Sequence, residues 1–71
     1  MIWFYERQGS HLRCEVREAV NGDCYQLVIT HADGAERVET FYDSRALTRR
    51  SRELEDTWRT EGWDGPYMRF V

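Results

Sequence analysis

Two cysteines, two histidines and ten basic residues, all of them arginine, hold most of the reactive chemistry of this chain. A thiol nucleophile needs a base within hydrogen-bond reach, which would pair Cys14 or Cys24 with His11 or His31. Cys14 and His31 share a face in the register derived below, but His31 falls at a hairpin end. The reading is therefore a small core cysteine and a turn histidine. The histidines stand far from any Cys-x-x-Cys spacing, so no zinc site is expected and no cofactor is implied. Glu15 and Glu39 share a cross-strand row with Val28 between them, about 10 Å apart, too far to share a proton. No glycine-rich loop opens a helix to cradle phosphate. The chain reads as a non-enzyme.

Arginine offers a planar, bidentate fork for anions. The candidates for anion or nucleic-acid contact are Arg13, Arg17 and Arg37 on strands, with Arg45 and Arg49 on the helix. Against them stands a net charge of -3, which disfavours binding driven by phosphate neutralisation. A nucleic-acid partner would need a local basic patch.

The elements that position these groups follow from regular punctuation. Gly9-Ser10, Asn21-Gly22 and Asp33-Gly34 separate stretches of alternating apolar and polar residues. Asn-Gly and Asp-Gly favour two-residue hairpin turns. With Asn21-Gly22 as a loop, Cys14 faces Ile29 and Val16 faces Leu27. With Asp33-Gly34 as the next loop, Ile29 faces Val38, Leu27 faces Thr40 and Tyr25 faces Tyr42. Leu12, Cys14, Val16, Tyr25, Leu27, Ile29, Val38 and Tyr42 then line one face, since a one-residue slip would invert a strand. A Gly9-Ser10 loop sets Trp3 opposite Val16, Tyr5 opposite Cys14 and Glu6 opposite Arg13, whereas a three-residue loop would reverse strand one. Cys14 and Cys24 fall on opposite faces about 17 Å apart, too far for a disulfide.

After Tyr42 the period becomes helical through Leu47, Ser51, Leu54 and Trp58. Asp43 is the expected N-cap, Tyr42 with Leu47 a hydrophobic staple, and Gly62 the residue that ends the helix. The expected fold is α+β, a single domain: a four-stranded antiparallel meander (2–7, 12–19, 24–31, 36–42), a helix over 44–61 packed on one face, and an apolar tail over 62–71. Arg49–Glu53, Arg52–Asp56 and Glu55–Arg59 have the i,i+4 spacing of helix ion pairs. No apolar run approaches the roughly 18 residues of a membrane helix, and no leader precedes the first strand. A location in the cytoplasm is expected, with no membrane partner.

One helix covers one face of a sheet. The same register leaves Ile2, Phe4, Val28 and Phe41 on the other, interleaved with Arg13, Arg17, Arg37, Glu15 and Glu39. Together with Tyr67 and Phe70 of the tail, this is more apolar surface than scattered exposure explains. The reading is a non-enzymatic interaction module, a homodimer associating through the outer sheet face or through the helix and tail.

Four antiparallel strands followed by one long helix resemble the PC4-like family of single-stranded DNA-binding transcription cofactors. That resemblance implies a dimer binding strands over its sheet, with Ile2, Phe4 and Phe41 as the platform and Arg13, Arg17 and Arg37 on phosphates. The chain also looks like small bacterial proteins of unknown function with Trp-Phe-Tyr-Glu-Arg near the start and Gly-Trp near the end. That second likeness implies no activity.

Overall fold

The computed structural model describes residues 1–68. In chain order they form β1 (Ile2–Arg7), β2 (Ser10–Glu18), β3 (Tyr25–Thr30), β4 (Glu36–Phe41), α1 (Ser44–Thr60) and β5 (Asp64–Met68). The class is α+β, but the sheet has five antiparallel strands in the order β4-β3-β2-β1-β5. The tail does not follow the helix as a loose end: β5 returns to pair with β1.

Each hairpin tests the register in its own way. The second keeps the expected register, with Cys14 opposite Ile29 and Val16 opposite Leu27, but not the two-residue Asn21-Gly22 loop. Ala19 N–H bonds the Cys24 carbonyl and Gly22 N–H the Ala19 carbonyl, a longer turn in which Asn21 lacks a positive φ. In the first, the loop is Gln8-Gly9, one residue earlier than expected, with Arg7 opposite Ser10. Both loop residues have positive φ, 48° and 82°, as a type I′ turn requires. Gly9 takes the second of those positions, where Ser10 would be strained. Moving the loop by one residue shifts the pairing by two, so Trp3 and Tyr5 stay inward. Their partners become Cys14 and Leu12, and Arg13 faces Phe4 rather than Glu6.

The third hairpin overturns the expected facing of β4. Leu27 lies opposite Glu39, Val28 opposite Val38 and Tyr25 opposite Phe41. The loop has three residues, Ala32-Asp33-Gly34: Gly34 N–H donates to the His31 carbonyl at 2.9 Å and His31 N–H to the Ala35 carbonyl at 2.8 Å. Gly34 has φ +91°, the left-handed residue that follows a type I turn in a three-residue hairpin. The Asp33 carboxylate accepts from Ala35 N–H at 2.9 Å and steadies the turn. Asp-Gly suits both loop lengths, and the longer one reverses every side chain of β4. Arg37, Glu39 and Phe41 therefore face the helix side, while Val38 and Thr40 take the outer face. Tyr42, expected to staple Leu47, is 80% exposed, and Phe41 packs on the core instead.

The helix begins where Asp43 accepts from Arg45 N–H at 2.9 Å. It ends in a Schellman motif, in which Trp63 N–H reaches Trp58 O at 2.9 Å and Gly62 N–H reaches Arg59 O at 3.0 Å, satisfying carbonyls left open by the last turn. Arg7 of β1 adds a donor to the Glu61 carbonyl at 2.9 Å, and its guanidinium lies 4.4 Å from the Trp63 ring centre. Trp58 and Trp63 close a core of Tyr5, Leu12, Cys14, Leu27 and Ile29, with Trp3, Val16, Phe41, Leu47 and Leu54 packed around it. Tyr5 meets Trp58 edge-on at 4.9 Å.

The new facing of β4 makes Phe41 a structural residue. Phe41→Ser removes a half-buried ring from beneath the helix, and the expected loss is about 1–3 kcal/mol, below the range for fully buried aromatics. Urea denaturation monitored by tryptophan fluorescence checks it.

Candidate interaction surface

The helix and its tryptophans cover the inner face, so the outer face is formed by side chains of opposite parity. One row carries Ile2, Glu15, Val28 and Val38, and the next Tyr67, Phe4, Arg13, Thr30 and Glu36. Among the described residues, no element lies across them. Val28 is nonetheless 1% exposed, whereas Val38 and Tyr67 are 50% and 53% exposed. The twist of the sheet leaves a groove of about 680 Å³ lined by Phe4, Glu6, His11, Arg13, Tyr67 and Met68, among others.

Charge on this face is internally balanced. Glu15 lies 3.4 Å from Arg13 and 2.9 Å from Arg17. The hydrogen bond from Arg17, with the charges of both arginines, holds the Glu15 carboxyl below its usual value. The resulting stripe along β2 reads positive, negative, positive. Such a stripe neutralises itself better than it attracts polyanions.

The expected site residues therefore divide. Ile2, Phe4, Val28 and Tyr67 share the outer face with Arg13 and Arg17. Phe41 and Arg37 do not: both belong to the inner side of β4, where Arg37 sits 3.2 Å from Glu39. Arg45 and Arg49 are exposed on the helix, on the other side of the sheet. Phe70 lies outside the described residues. Sequence reasoning missed Val38, assigned to the core through the wrong third loop, and His11, Thr30 and Met68, which line the groove.

The inner side of β4 holds a second polar cluster. Arg50 of the helix donates to Glu39 through Nε at 2.8 Å and Nη2 at 3.2 Å, a two-pronged contact tying α1 to the sheet edge. Arg50 also reaches Glu53 at 3.3 Å, in place of the expected Arg49 partner, while the expected Glu55–Arg59 pair closes at 3.0 Å. The bond from Arg50 keeps the Glu39 carboxyl below its usual value. A carboxyl lowered by folding stabilises the native state above its unfolded value, and that contribution fades as pH falls through the lowered one.

Thiolate chemistry at Cys14 has no support in this geometry. Cys14 is fully buried, and burial pushes its thiol up to about 12, which keeps it protonated and unreactive at neutral pH. Burial, reinforced by Glu55, likewise raises the Tyr5 hydroxyl to about 12. Among the described residues, no three His, Cys, Asp or Glu side chains gather as metal ligands. No helix of those residues is long and apolar enough to cross a membrane.

Compared with protein-family models, curated proteins and solved structures, the chain matches none.

Proposed function

We propose that this chain is a non-enzymatic interaction module of the bacterial cytoplasm that pairs with a second copy through the outer face of its sheet. The observation that carries the reading is the outer face, which no other described element covers and on which Ile2, Val38 and Tyr67 surround the Arg13–Glu15–Arg17 stripe. A stripe of alternating sign can pair with its own copy when the two-fold axis falls between Arg13 and Glu15, which sets each Arg13 against the other copy's Glu15. Free cysteines at positions 14 and 24 suit a reducing compartment.

Size sets the expected strength. Five strands of about six residues span a face of about 24 by 20 Å, or roughly 1,000 Å² buried between two copies at usual strand spacings. That is the lower end for a specific contact, so a weak dimer is expected. Light scattering across micromolar concentrations checks it. Tyr67→Glu, at an exposed position, should leave the circular dichroism unchanged and weaken face pairing at least about tenfold, since a carboxylate must then be desolvated. A chain that stays monomeric at high micromolar concentration overturns the reading.

One observation favours a second reading, the one implied by the PC4-like likeness. Phe4 and Tyr67 are cross-strand neighbours with Arg13 beside them, which places two rings and a cation in one groove. Rings stack on bases and arginine meets phosphate in single-strand binders. Fluorescence anisotropy with a labelled oligonucleotide at low salt decides it, and absence of binding there removes it.

A further inference from the structure

The sheet has two edges, and they differ. On β5, Pro66 lacks an N–H, and the pairing with β1 shifts register between Phe4 and Glu6. Both devices commonly block edge-to-edge association. The β4 edge has neither: Glu36–Phe41 pairs regularly with β3 along its whole length.

The backbone groups open on that edge can be assigned. His31 N–H bonds the Ala35 carbonyl, which makes this a hydrogen-bonded pair. Such pairs alternate along an antiparallel ladder, so Arg37, Glu39 and Phe41 exchange bonds with β3. Glu36, Val38 and Thr40 then direct their N–H and C=O groups away from the sheet.

We infer that the β4 edge is a homophilic pairing site, where a second copy adds its own β4 antiparallel with Val38 opposite Val38. In that register the open groups of Val38 meet each other, and those of Glu36 meet those of the second copy's Thr40. Arg37 falls opposite the second copy's Glu39, and the converse contact forms by symmetry. These are non-hydrogen-bonded positions, where side chains approach most closely. The two neighbouring registers that also match open groups set Arg37 against Arg37, or Glu39 against Glu39. Charge therefore selects one alignment of the three.

The same charges exclude other strands. Glu39 is only partly exposed and points to the helix side, so an apolar residue placed opposite would desolvate it without compensation. Arg37 of a second copy adds a further cation beside Arg50 and the chain's own Arg37, and a carboxylate has acceptor capacity beyond the bonds that it already takes. The two-fold axis runs perpendicular to the sheet, which makes the two helices antiparallel on one side. Each helix carries Arg45, Arg49, Arg50 and Arg52 early and Glu53, Glu55, Asp56 and Glu61 late, so antiparallel copies oppose unlike halves. This contact goes beyond face pairing and is separate from it.

Amide hydrogen exchange of the intact chain, read across micromolar concentrations, tests the edge directly. Exchange at Val38 should slow at least about tenfold as concentration rises, because its N–H becomes bonded only in the pair. Thr40→Pro removes an outward N–H while sparing the β3 ladder, and Arg37→Glu sets like charges opposite each other. Both positions are exposed, and circular dichroism should confirm that both variants fold. Each should abolish the concentration dependence at Val38, whereas Tyr67→Glu should leave it intact. If the wild type associates while Val38 exchanges at one rate throughout, the edge pairing is wrong and face pairing survives. Loss of association in Tyr67→Glu alone likewise rules out the edge, and a wild type monomeric throughout removes both.

Discussion

Leu27→Asp should leave the chain unfolded, with no cooperative urea transition and no dispersed amide spectrum. Leu27 is 0% exposed, at the centre of the sheet's inner face among Cys14, Ile29 and the helix residues. Removing the leucine forfeits about 2–5 kcal/mol of burial and packing. The carboxylate in its place costs several kcal/mol more, because it would be buried directly opposite the Glu39 carboxylate, whose charge already engages Arg50. Against this, a domain of 71 residues has a total stability of about 4–10 kcal/mol. Native-like circular dichroism and a sharp transition in the variant would mean that the inner face is not the core.

Gly65→Ala should cost about 2–4 kcal/mol, measured by urea denaturation, with the loss concentrated in β5. Gly65 has φ +141°, and a Cβ there would lie 2.8 Å from the Phe4 carbonyl oxygen and 2.9 Å from Tyr5 Cδ1. The oxygen belongs to the backbone of β1 and cannot swing aside. The tyrosine ring is wedged against Trp58. Gly34→Ala is the control: φ is +91° but nothing lies within 4 Å of the added methyl. It should show only the backbone penalty of about 1 kcal/mol. Equal losses in the two variants would show that β5 does not dock as tightly as its geometry requires. The Gly65 variant should also lose the groove beside Tyr67 and Met68, linking the strand that completes the sheet to the surface proposed to work.

Much of this architecture was legible from local chemistry. Asp43 and Gly62 bracket the helix because a carboxylate that caps N–H groups and a residue free of Cβ constraint act within one turn of chain. The facing of β1, β2 and β3 was equally legible, even though the first loop is Gln8-Gly9. A shift of two residues preserves parity, so Trp3 and Tyr5 still point inward with different partners. The outer positions of Ile2, Phe4 and Val28 follow from that same local arithmetic.

β4 and β5 were not legible, for two different reasons. Asp33-Gly34 is compatible with a two-residue and a three-residue loop, which differ by little in local energy but give β4 opposite faces. Tertiary contacts choose between them: only the longer loop turns Phe41 toward the core and lets Glu39 meet Arg50 on a helix eleven residues away in sequence. β5 carries no alternating pattern, and its glycine and proline read as a loop. It becomes a strand because the Schellman turn at Gly62, held by Arg7, aims the chain back along β1. Periodicity and turn residues, being short-range, determined the elements and most of their faces; which face β4 shows, and that the tail closes the sheet, depended on contacts that exist only after the helix has packed.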